Sequence, residues 1–86
     1  MDVRLCLEEF EKLAQRLGIE IRQTTGGPSG LCTLHGERII FIDRTLDKQS
    51  QLNVFIQEFK ELNLDDVFIV PVIRKLIGLN NEETGE

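Results

Sequence analysis

The spacing of apolar residues changes character several times along the chain. Over residues 4–17, Cys6, Phe10, Leu13 and Leu17 recur at intervals of three and four, with Ala14 beside them. Glu8, Glu9, Glu11, Lys12, Gln15 and Arg16 fill the other side. That period lays one apolar stripe along an α-helix. Glu8 and Lys12 form a favourable i,i+4 pair, the acidic residues come early and Arg16 late, as the helix dipole prefers, and Gly18 follows as a left-handed terminator. Residues 19–23 alternate instead, with Ile19 and Ile21 on one side and Glu20 and Arg22 on the other, which predicts a half-buried strand. The stretch 24–30, with Gly26, Gly27, Pro28 and Gly30, reads as a loop.

A second short strand is predicted over 31–35, a tight turn at His35-Gly36-Glu37, and a third strand over 38–42. In that third strand Ile39, Ile40, Phe41 and Ile42 are apolar without a break. Such a run belongs at the centre of a sheet, with both faces covered or one face joined to a partner. Asp47 is the expected N-cap of a second helix over 48–62, with Thr45 a possible earlier start. Leu52, Phe55, Ile56, Phe59 and Leu62 give this helix the clearest apolar stripe in the chain. Residues 67–70 read as a short strand or an extended arm. Pro71, suited to a first helical turn, opens a short helix ending at Gly78.

These faces predict an α+β domain over 1–79. A three-stranded, mostly antiparallel sheet packs against two main helices, and a short C-terminal helix finishes one edge. Phe10, Leu13, Leu17, Ile40, Ile42, Leu52, Phe55, Ile56 and Phe59 are the expected core. Residues 80–86 are polar and acidic and read as a disordered tail.

Composition narrows the function classes. A chain of 86 residues buries only roughly 60–65% of the surface its unfolded form exposes, so modest stability and an oligomer are reasonable. The net charge is −5, and the longest basic run is Arg74-Lys75. Nucleic acid calls for a concentrated positive patch, and an anionic membrane repels this average surface. No apolar run approaches the ~18 residues of a membrane span. Cys6 and Cys32 lie far apart in apolar settings with no CxxC. They read as buried, reduced thiols of a cytoplasmic protein.

No set of residues completes a catalytic centre. His35 is the single histidine. Its spacing from Cys32 resembles that of metal ligands, but in a strand the two point to opposite faces, and a structural zinc needs roughly four ligands. No metal and no cofactor are expected. The loop glycines Gly26, Gly27 and Gly30 expose amides that can hold an anion, with Arg22, Arg38 and Arg44 as bidentate charge partners. A phosphate loop also wants a following helix and a lysine, and a strand follows here. Ile39 and Phe41, if turned away from the helices, leave an apolar sheet face. With Phe68 and Val70 they make a candidate interaction surface.

The run 30–62 also resembles part of a known family. A strand ending in Asp43-Arg44, a leader with Leu46, and an amphipathic helix containing Gln57-Glu58-Phe59-Lys60-Glu61 look like the middle of the small zinc metallopeptidase domains found with phage-type repressors and stress regulators. In that family the helix carries His-Glu-x-x-His. The resemblance puts Gln57 and Glu61 at the two histidine positions and Glu58 at the general base, which implies a degenerate, metal-free relative. The string Gly26-Gly27, Leu31-Cys32 and Leu34-His35-Gly36-Glu37-Arg38 is similar to small bacterial proteins and implies a bacterial setting. Three functions follow as expectations. The first is a structural or protein-interaction domain that self-associates or docks on a larger partner. The second is a small-molecule or anion binding module at the loop 26–30. The third is a hydrolase-like domain with a degenerate site.

Overall fold

The computed structural model describes residues 2–79. The expected tail over 80–86 lies outside the described residues. Six elements follow in order: α1 (Val3–Arg16), β1 (Glu20–Thr24), β2 (Gly30–Leu34), β3 (Glu37–Asp43), α2 (Lys48–Lys60) and α3 (Pro71–Leu76).

Local chemistry sets the ends of these elements. Asp2 caps α1, accepting from the Arg4 amide at 3.0 Å. Gly18, at φ 73°, ends it in a Schellman motif. The Gly18 amide bonds to Gln15 O and the Ile19 amide to Ala14 O, a geometry that needs a left-handed residue at C′. Asp47 caps α2, accepting from the Ser50 amide at 2.7 Å. Val70 is extended, as a residue before proline prefers, and Pro71 opens α3. Residues 67–70 form no strand. They are an extended arm whose Ile69 is buried.

The sheet order is β1-β3-β2, so the third strand is central, as its apolar run predicts. β2 pairs antiparallel with β3 through a two-residue turn. His35 and Gly36 both have positive φ, the type I′ geometry that matches strand twist. β1 pairs parallel with β3, Glu20 opposite Ile39 and Thr24 opposite Asp43. The sheet is therefore mixed, with one pairing of each kind, where alternation alone suggested a mostly antiparallel one. The reason is the connection 25–29, which does not fold back as a hairpin. It crosses the end of β3 and delivers β2 to the far side, a span of about 10 Å.

Both long helices pack on one face of the sheet. Phe10, Phe55 and Phe59 meet within the core. Phe10 stacks on Phe55 with ring centroids 5.4 Å apart and meets Phe59 edge-on at 5.1 Å. Leu13, Ile40, Ile42, Leu52 and Ile73 are among the other fully buried side chains of the core. Leu17 and Ile56, expected inside, are half-buried against the same cluster.

Candidate functional site

The glycine loop is built around a carboxylate of the protein's own. Asp43 ends β3 with its side chain turned into the connection 25–29. Its Oδ1 accepts from the Gly26 amide at 3.0 Å, from the Thr45 amide at 2.9 Å and from the Thr45 hydroxyl at 2.7 Å. Its own amide donates to Ser29 Oγ at 3.0 Å, and the Arg44 amide donates to Thr24 O. These donors hold the Asp43 carboxyl below the usual carboxylate range. The Thr45 hydroxyl is the largest cause, followed by the amides of Gly26 and Thr45.

The three loop arginines do not converge on this loop. Arg22 pairs with Glu20 at 2.7 Å on the strand surface. Arg38 reaches the end of α1 and donates to Leu17 O at 2.7 Å. Arg44 is exposed. A cleft of about 440 Å³ opens beside Gly26 and Gly30, with Cys32, Phe41 and Glu58 in its wall and none of those arginines. Its one acidic wall residue is Glu58 and it has no basic one, so its charge favours neutral or cationic contents. Glu58 lies on α2. Gln57 is exposed beside it, and Glu61 is the C-cap of α2.

Cys6 is buried and Cys32 exposed, and neither is in a disulfide. The expectation of two buried thiols thus holds for Cys6 alone. Cys32 has apolar sequence neighbours, but the pleat turns it to the face away from the helices. Burial pushes the Cys6 thiol up. Under native conditions iodoacetamide should label Cys32 and leave Cys6 until the protein unfolds, as peptide mass spectrometry will report. Equal labelling rates would contradict the assigned burial. Among the described residues no three or more of His, Cys, Asp and Glu gather in a metal-holding group, and His35 sits exposed in the hairpin turn.

The four candidate interaction residues divide between two sides of the molecule. Ile40 and Ile42 join the core, while Ile39 and Phe41 stand outside it, as alternation on a central strand requires. Ile39 is nonetheless only 2% exposed, flanked across the strands by Glu20 and Cys32. Phe41 is half-buried. Phe68 is 69% exposed, its ring 5.9 Å from the Arg16 guanidinium, on the helix side. Val70 packs against the core from the arm before α3.

Two further surfaces come from packing between elements. A cleft of about 440 Å³ lies between the first turns of α1 and α3, with Leu5, Cys6, Val72 and Leu76 in its wall and Asp2, Glu9 and Lys75 around it. Leu5 and Val72 are among the few large apolar side chains left exposed, at 57% and 39%. Leu5 falls off the stripe of its helix, and that was the available signal. A larger groove, about 640 Å³, runs between α1 and the edge of β1 that faces away from β3.

No family model, no curated protein and no solved structure matches this chain. Among the described residues, no helix is long and apolar enough to cross a membrane.

Proposed function

We propose that the protein is an interaction domain that works by binding, and that a second copy of the chain is its first partner. The cleft between α1 and α3 carries this reading. Leu5 and Val72 stay exposed on its rim, and water contact at such side chains costs roughly 25 cal/mol per Å² relative to burial. The cleft is also self-complementary. Asp2 and Glu9 stand on the α1 side and Lys75 on the α3 side. A two-fold arrangement sets the α1 wall of one copy against the α3 wall of the other, acid facing base. A small core supports the same reading, since short chains bury a smaller share of their surface alone. A reducing bacterial cytoplasm suits the two free thiols.

Light scattering on a size-exclusion column, from micromolar to millimolar protein, tests it. A dimer is expected for the natural sequence. Leu5→Glu combined with Val72→Glu should give a folded monomer, because both side chains are already exposed. Lys75→Glu should weaken the dimer, and Glu9→Lys added to it should restore the dimer. A strict monomer at millimolar concentration, or a dimer indifferent to Leu5→Glu and Val72→Glu, overturns the proposal.

A further inference from the structure

We infer that the groove between α1 and β1 takes up an extended basic peptide as a fourth strand of the sheet. Among the described residues, β1 is an edge strand paired with β3 alone. The Arg44 amide bonds to Thr24 O, with Thr24 opposite Asp43. In a parallel ladder this phase turns the backbone groups of Glu20, Arg22 and Thr24 toward β3 and those of Ile21 and Gln23 away from it. The N–H and C=O groups of Ile21 and Gln23 therefore face the groove, which these residues line. A strand added there recovers a hydrogen-bond ladder, the usual source of affinity when a peptide joins a sheet edge.

The opposite wall supplies the specificity. Glu8, Glu11, Lys12 and Gln15, one stripe of α1, face the strand across about 640 Å³. The Lys12 ammonium is drawn toward Glu9, 3.5 Å away, and Glu9 does not line the groove. Glu8 and Glu11 are exposed and have no ion-pair partner among the described residues. Side chains of an added strand point alternately toward and away from α1. The peptide that fits carries Lys or Arg at every second position, over about five residues to match β1. This groove is separate from the α1–α3 cleft, so the proposal stands or falls independently of dimerisation there.

The test uses a fluorescein-labelled peptide alternating lysine and threonine, followed by anisotropy on the full chain carrying Leu5→Glu and Val72→Glu. The basic peptide should bind, and its glutamate counterpart at least about tenfold more weakly. Methylating the backbone nitrogens on the edge that faces β1 should abolish binding. Glu8→Lys with Glu11→Lys, two exposed changes, should weaken it by a similar factor. Gln23→Pro removes an outward-facing donor that the ladder to β3 does not use, and it should end binding while circular dichroism stays unchanged. Equal affinity for both peptides, indifference to N-methylation, or no binding at millimolar peptide overturns the proposal. So does an edge-to-edge dimer that Gln23→Pro dissolves and that excludes the peptide, since the strand partner is then a second β1.

Discussion

Phe10→Ala should destabilise the domain by about 3–5 kcal/mol, a loss comparable with the whole stability of a domain this small at the low end of the usual range. Phe10 is fully buried, and it is the ring that joins α1 to α2. Its centroid lies 5.4 Å from that of Phe55 and 5.1 Å from that of Phe59, whereas Phe55 and Phe59 are 6.3 Å apart. Removing the ring opens a cavity between α1 and α2. The backbone around it is held by two helices and relaxes little. The effect therefore combines lost burial, the cavity, and two aromatic contacts. Phe10→Leu keeps much of the volume and should cost well under half as much. Urea melts followed by circular dichroism will measure both. A loss below about 1.5 kcal/mol for the alanine variant, under the usual range for such a truncation, would mean that the ring is not central to the core.

Asp43→Ala should lower Tm by roughly 10 °C, the scale for losing several part-buried hydrogen bonds in a domain of this length. Asp43 as a residue is 9% exposed. Its carboxylate is the shared acceptor for the Gly26 amide, the Thr45 amide and the Thr45 hydroxyl. Without it these donors lose their partner, and the crossing from β1 to β2 loses its anchor at the end of β3. Asp43→Asn keeps an acceptor oxygen without the charge and should fall between the two. The same carboxylate makes stability depend on pH. Its folded pKa is depressed, so its contribution is complete above the unfolded value near 4 and fades as pH falls through the folded value. Asp47, held down chiefly by the Ser50 amide, and Glu20, held down chiefly by its bond to Arg22, act with the same sign. Thermal melts from neutral pH into acid should show a falling Tm, and the fall should be shallower in Asp43→Asn. An equally steep fall in that variant would remove Asp43 from the account.

Much of this architecture is legible in the residues, and the exceptions have physical causes. The stripe of Leu52, Phe55 and Phe59 specifies α2 because helical burial repeats with the helix period. Unbroken apolar residues from 39 to 42 mark a central strand, although the helices cover only the face of Ile40 and Ile42. Strand direction was not readable in the same way. Alternation in β1 says which side chains face inward, but nothing about which strand lies beside it. That choice rests on the crossing 25–29 and on Asp43, and a carboxylate after an apolar strand looks like an ordinary exit to solvent. The Gly26 amide, readable as an anion donor, serves an internal anion. Cys32 shows the limit of judging burial by sequence neighbours, since the pleat separates it from Leu31 and Thr33. The α1–β1 groove was hidden for a related reason. Glu8 and Glu11 look like a solvated helix face until the fold sets them beside a strand edge.

The placing of β3 between β1 and β2 also orders events during synthesis. β1 emerges from the ribosome before β2 and well before its neighbour in the sheet. Until β3 is made, both of its backbone edges are bare, the condition in which strands of different chains join. Glu20 and Arg22, alternating along that strand, give it charged side chains during this wait, and charge on an unpaired strand discourages association with other nascent chains. The β2–β3 hairpin, closed by a two-residue turn, forms locally. It then offers β3 to a strand that was made before it.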